Sequence, residues 1–480
     1  ITLAGNAVLS FNGGTSSYAL KGLLSGDGTG AIRFNGTGSL TLGMALDDVA
    51  ALTVEKGSVA LTAGEQTVLA PAVTLASDRA LLSYAPETLA LGGDVSLRVN
   101  AVAGRAASGV LTWGAAASSE TARAPRLVAS ADVPEGTPAV NVSELRYAPA
   151  SGHLILDPGT AVLPADIRLT LGKAASESDA LWLGARTDAC TAGEVAFRAA
   201  ALTGSGLVSV EPSVDAFADA DWSARRVLTL TLDAALPEAD RTFKGLFAGA
   251  TTLDGTVIQA GLAVRSKDPS GETPRFTLTG KSTDANLGTL DVGEKVRVEV
   301  NGAWAGDVAV SANGGELAGS GVLGGDGRTV TVPAGATLSG AAFGKRRHAN
   351  GSVTEETVPA ALTVQGTLSL VPDSRLRVLV RQDASGAAWV SCVQAERLLL
   401  PMIVSSSNNE VMLEVVLDDE AGATASNVKI LGWSSLDGAG KINGRLVAPD
   451  GTERTDYILR QKTDGLYLYR SNARFWMIVR

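Results

Sequence analysis

Histidine, the side chain best placed to move protons near neutral pH, occurs twice in 480 residues, at His153 and His348. His153 follows Gly152 at the start of an apolar run, and His348 ends the basic sequence Lys345-Arg346-Arg347. No serine or cysteine stands in a nucleophile-elbow pattern, so a hydrolase triad has no footing. Cys190 and Cys392 are not spaced as metal ligands; a disulfide and two unpaired buried thiols both stay open. Asp215, Asp219 and Asp221 form a small cluster whose oxygens could hold Ca²⁺, against the plainer reading of a solvated loop beside Trp222. Asp418-Asp419-Glu420 reads as an acidic, solvated turn. Lys345, Arg346 and Arg347 fall in a loop, where they would meet an anionic ligand such as a glycan, offer a protease-sensitive bond, or do neither. The sequence calls for no cofactor, and calcium is the one ion it offers ligands for.

Composition narrows the class. Hydrophobic residues make up 45% of the chain, aromatic residues 5% and charged residues 19%, so a core is available but must be built of Ala, Val and Leu. Net charge is −10, with no basic stripe interleaved with aromatics, which argues against nucleic acid as a partner. No apolar run reaches the length of a membrane-spanning helix. Seven tryptophans, at 113, 182, 222, 304, 389, 433 and 476, are spread too evenly to mark a sugar-stacking groove. Paired carboxylates of a polysaccharide-cleaving site come from successive coils, so linear spacing leaves that activity open.

The elements that must position any of these residues are short strands. Arg328 to Leu338, Ala361 to Leu370 and Pro372 to Val380 each alternate apolar with small polar residues, and each ends at a Gly or Asp-Ser turn. Period-two alternation directs one set of side chains inward. A turn every ten residues or so, taken by Gly or Asp, bends the chain. Repeated, that pattern describes stacked coils, a β-solenoid. Ten of the 17 prolines lie between Pro125 and Pro274, where they would interrupt ladder hydrogen bonds. Asp215 to Arg226 reads as one short helix.

A family resemblance follows from these stretches. Val330-Thr-Val-Pro-Ala-Gly-Ala-Thr-Leu338 with Leu362-Thr-Val-Gln-Gly-Thr-Leu-Ser-Leu370 resembles the late passenger region of bacterial autotransporters. Leu24 to Gly30, Gly36 to Leu42 and Leu52 to Val59 resemble the autotransporter-associated β-strand repeat. One departure stands out: the family joins its two late halves by a tight turn, whereas this chain inserts Ser339 to Pro359. Gly324-Gly325-Asp326-Gly327 resembles a single calcium-binding nonapeptide unit, out of register. Tyr457 to Tyr469, with Asp464-Gly465 as its turn, resembles the closing hairpin of a passenger.

The resemblance implies an all-β, right-handed parallel β-helix with an N-terminal solenoid over 1–100. An irregular solenoid or inserted β-sandwich would follow over 101–300, a regular solenoid over 301–385 and a capping β region over 386–480. Tyr457, Tyr467, Tyr469, Phe475 and Trp476 would cover the open end. The expected function is an exported, non-catalytic surface rod of a bacterium, processed or trimmed from its export signal and outer-membrane anchor. It would adhere to host or neighbouring-cell glycans or proteins. The alternatives are a filament subunit joining copies of itself by strand addition, and a polysaccharide-active enzyme or carbohydrate-binding module.

Overall fold

The computed structural model describes residues 1–61 apart from 22–23, 44–48 and 50; strand segments between 72 and 183; and 196–471 apart from 211–226, 234–240, 252–256, 267–272, 349, 402–409, 421–424 and 439–440. The expected helix at 215–226 lies outside them. Among the described residues there is no helix, and hence none long and apolar enough to cross a membrane. The protein is all-β, with long parallel sheets of the β-solenoid kind, and divides into two compact units, Ile1–Gly261 and Leu262–Arg480.

In the first unit, Val8–Phe11 and Ser17–Leu20 both pair in parallel with Ala31–Leu42, which pairs on its other side with Ala51–Leu61. The ladder continues through Ala80–Tyr84, Val110–Trp113, Glu144–Tyr147, Arg168–Leu171 and Ala201–Gly204. Strands of the proline-richer stretch thus join a parallel ladder. A second ladder runs from Ser96–Val99 through Arg126–Ala129, Leu154–Leu156 and Ala180–Leu183 to Leu207–Val210. Leu40, Val59, Leu145, Leu169 and Leu202 hold equivalent inward positions and are fully or almost fully buried.

The second unit shows the alternation most plainly. Arg275–Leu278, Arg297–Val300, Glu316–Ala318, Thr337–Ser339, Ser374–Gln382, Glu410–Asp419 and Lys441–Val447 form one parallel ladder. In its early rungs each strand meets its partner about 20 residues further along. Phe276, Val298, Leu317, Leu338, Leu376, Val415 and Leu446 occupy matching positions, and all are buried. A second ladder stacks Leu290, Val308, Val330, Leu368 and Leu398. The stretches around Val330, Leu362 and Arg375 therefore lie in consecutive rungs of paired sheets. Because strand side chains alternate with a period of two, a slip of one residue would turn this whole column outward.

Corners are taken by residues with positive φ. Gly319 has φ of 137°, and an added Cβ would come within 2.1 Å of the Val300 carbonyl oxygen of the rung beneath. Gly319→Ala should therefore lower the unfolding free energy by about 2–3 kcal/mol in denaturant titrations. Gly344→Ala, whose Cβ meets only Val358 at 3.6 Å, should stay within about 0.5 kcal/mol of the parent.

Candidate functional site

The insertion after Ser339 is an antiparallel hairpin, Ala341–Arg347 against Val353–Pro359. Its base is closed where the Ala360 amide donates to the Gly340 carbonyl, and the coil resumes at Ala361–Leu370. Its tip turns through Asn350 to Ser352, with the His348 amide bonded to the Ser352 carbonyl and the His348 ring to Thr354. Ala341, Ala342 and Val358 are buried, so the hairpin lies down on the protein.

Beneath it is a set of charges that the sequence assigns to the outward face of the ladder. Arg297 and Glu299 alternate with Val296, Val298 and Val300, yet Glu299 is wholly buried and Arg297 nearly so. Arg297 Nε donates to Glu299 at 2.8 Å, and its Nη1 pairs with Glu316 in the next rung. The second Glu299 oxygen accepts the Phe343 amide of the hairpin at 2.8 Å. Arg275, beside Arg297 in register, lies over the Phe343 ring at 3.8 Å. A buried carboxylate needs this many partners, since an unpaired one would be costly.

Lys345, Arg346 and Arg347 are strand residues of this hairpin rather than loop residues. Lys345 is exposed and faces Glu355 at 3.7 Å, and Arg347 is exposed. Arg346 is only 5% exposed: it binds Glu356, Glu420 and the Gln382 carbonyl oxygen. The acidic triplet is likewise engaged rather than solvated. Asp418 meets Arg377 and Arg381, Asp419 meets Arg454, and Glu420 meets Arg346 and the Gln382 amide. The Arg346 guanidinium, helped by the Gln382 amide, holds the Glu420 carboxyl below its ordinary 4.5.

Beside the hairpin lies an open groove of about 500 Å³, bordered by Phe343, Val358, Trp389 and Cys392, with Asn301, Ser320 and Lys345 at its polar margin. Trp389 is brought there by a short strand, Ala388–Val390, folded antiparallel onto Arg381 and its neighbours. Cys392 is a free, half-buried thiol, and burial pushes its pKa up. Linear spacing missed this groove because Phe343 and Trp389 come from separate excursions of the chain. The one available signal was the insertion itself, with an aromatic residue in its first strand.

The remaining expectations fall elsewhere. Gly324 and Gly327 take positive φ in the corner between Val322–Leu323 and Thr329–Val332. No three metal-binding side chains gather among the described residues. Asp215, Asp219, Asp221, Cys190, His153, Phe475 and Trp476 lie outside the described residues. Tyr457 is buried in the terminal hairpin Tyr457–Lys462/Gly465–Arg470, and Tyr467 and Tyr469 are half-exposed on its outer face. No protein-family model matches the chain, and no curated protein matches it significantly.

The clamp makes a test. Arg346→Ala should cost about 2–3 kcal/mol of stability, less than a fully buried pair because Glu356 and Glu420 keep about a third of their surface. Lys345→Ala should cost less than about 0.5 kcal/mol. With its pKa lowered on folding, Glu420 stabilises fully above about pH 4.5 and loses that contribution as pH falls through the lowered value. Amide exchange across 341–359, corrected for its intrinsic pH dependence, should therefore quicken in acid in the parent and much less in Arg346→Ala.

Proposed function

We propose that this chain is a non-catalytic, exported surface protein of a bacterium: a passenger-like, right-handed β-solenoid that carries binding surfaces on its exterior. The observation that carries the reading is the pair of ladders of the second unit, whose outward charges pair from rung to rung. Arg297 with Glu316, Arg375 with Glu414, Arg377 with Asp418 and Arg397 with Asp437 are such pairs. Carboxylates held by arginines of neighbouring rungs serve the wall, and a glycosidase needs two left free across a cleft. The inserted hairpin and the groove of Phe343 and Trp389 are built on that wall without breaking it, as suits a scaffold that displays contacts to glycans or proteins of other surfaces. The resemblance of 330–338 and 362–370 to autotransporter passengers supports the same assignment, including passage through the outer membrane and a solenoid organisation of both units.

The test uses the full chain against bacterial and host-type polysaccharides and intact cells. Retention on a surface ligand without release of new reducing ends is expected, and Asp418→Asn should leave retention within about twofold while weakening only its ion pairs. New reducing ends that disappear in Asp418→Asn would replace this reading with the polysaccharide-active one.

A further inference from the structure

The outer face of the terminal hairpin carries more than a cover requires. Tyr457–Lys462 pairs antiparallel with Gly465–Arg470, setting Arg460 opposite Tyr467 and Ile458 opposite Tyr469. Gly465–Arg470 pairs in turn with Val428–Gly438, setting Lys429 beside Tyr467. Alternation sends Tyr457, Leu466 and Leu468 inward, where they are buried, and leaves Arg460 and Lys462 exposed beside two half-exposed tyrosines. Lys462 Nζ lies 3.9 Å from the Tyr467 ring centre and 5.7 Å from that of Tyr469. Arg460 lies 4.9 Å from the Tyr469 ring, and Lys429 Nζ 5.6 Å from the Tyr467 ring.

Both rings are held in place. The Tyr469 hydroxyl donates to Asn427 at 2.6 Å, and the Tyr467 hydroxyl to Asp464 at 3.0 Å. Asp464 also neutralises Lys429. Arg460 and Lys462 form no ion pair among the described residues; Lys462 Nζ donates to Asn427 Oδ1 at 3.1 Å. Asp464, the nearby carboxylate, is already paired with Lys429, so the face keeps a net positive charge around a fixed aromatic pair on a chain of net charge −10. Charge alone would guard a sheet edge against pairing. That task does not call for oriented, half-exposed tyrosines, and a ring face lined by cations suits a ligand with both a flat apolar surface and an acidic group.

We infer that this face binds an acidic polysaccharide, whose carboxylates or sulfates draw Arg460 and Lys462 off the ring faces they cover and so open Tyr467 and Tyr469 to its sugar rings. The inference rests on the surface-binding reading above and assigns that reading its ligand class. A polyphosphate carries no ring for Tyr467 and Tyr469 to stack against, and would leave the aromatic pair without a role. A bilayer would demand more exposed apolar side chains than Ile458 supplies.

The full chain is passed over immobilised heparin and immobilised polygalacturonate, with dextran as the uncharged control. Retention on at least one polyanion and not on dextran is expected. Arg460→Gln/Lys462→Gln should weaken it about tenfold, and Tyr469→Leu about threefold. Lys281→Gln/Lys295→Gln, which removes the same charge from exposed positions of the second unit outside both hairpins, should leave it unchanged. Independently of variant folding, soluble polygalacturonate should protect Lys462 from acetylation in the parent while exposed Lys281 stays reactive. Equal loss in both double variants, or absence of Lys462 protection, would overturn the site. Tighter binding to phosphatidylglycerol vesicles than to either polyanion would overturn the ligand class. Retention on a surface ligand insensitive to Arg460 and Lys462 would overturn this site alone, whereas retention on no surface at all would remove the broader reading with it.

Discussion

Each strand of a parallel ladder presents a row of amides and carbonyls that only another strand, or a substitute for one, can satisfy. That requirement organises the second unit, from the repeat of the rungs to the way the chain stops repeating. At Lys441–Val447 side chains and turns begin to replace strands: the Ile442 amide donates to Gln461, and the Arg454 amide donates to the Leu446 carbonyl. On the neighbouring sheet the chain reverses direction, and Gly465–Arg470 pairs antiparallel with Val428–Gly438. The last strand of this sheet among the described residues, Tyr457–Lys462, then offers exposed Arg460 and Lys462 in place of a flat apolar edge. Trp433, packed against this end, donates its indole NH to the Thr463 carbonyl and ties the hairpin to the core.

An interior made of stacked Leu and Val has a weakness: one rung resembles the next, and apolar contact alone discriminates poorly between registers. Outward charges supply the discrimination. The column Arg275, Arg297, Glu316, Thr337, Arg375, Glu414 and Arg445 places opposite charges side by side at three contacts, Arg297–Glu316, Arg375–Glu414 and Glu414–Arg445, the first two of which close as ion pairs. Where like charges do adjoin, at Arg275 and Arg297, the first turns onto the Phe343 ring. The more exposed pair, Arg375–Glu414, contributes at most about 1 kcal/mol, so its main effect is to penalise a displaced pairing, and a slip at the largely buried Arg297–Glu316 pair would strand a charge away from water.

A wall that closes its own hydrogen bonds rung by rung tolerates additions. The hairpin of 341–359 leaves the ladder at Gly340 and returns at Ala360, and the next rung, Ala361–Leu370, pairs in parallel on both sides. The short strand Ala388–Val390 does the same on a smaller scale. Binding surfaces can accordingly arise on excursions and on the terminal hairpin, where side chains are not committed to the stack. The chemistry sits outside and the packing inside, and each constrains the other little.

Alternation in Val330 to Leu338, Leu362 to Leu370 and Arg375 to Val380 was enough to determine an all-β chain, which residues face inward, and that successive rungs pair, because strand geometry has a period of two whatever surrounds it. The break in the pattern after Ser339 was equally legible as an insertion. Its conformation was not: Lys345, Arg346 and Arg347 look alike in sequence, but only Arg346 meets Glu420, which lies 74 positions away. Likewise Arg297-Val-Glu299-Val reads as an ordinary half-exposed strand, and only the hairpin folded across it makes Glu299 a buried charge. Local periodicity sets which way a side chain points; whether water or another part of the chain waits there depends on long-range contacts that no local pattern encodes.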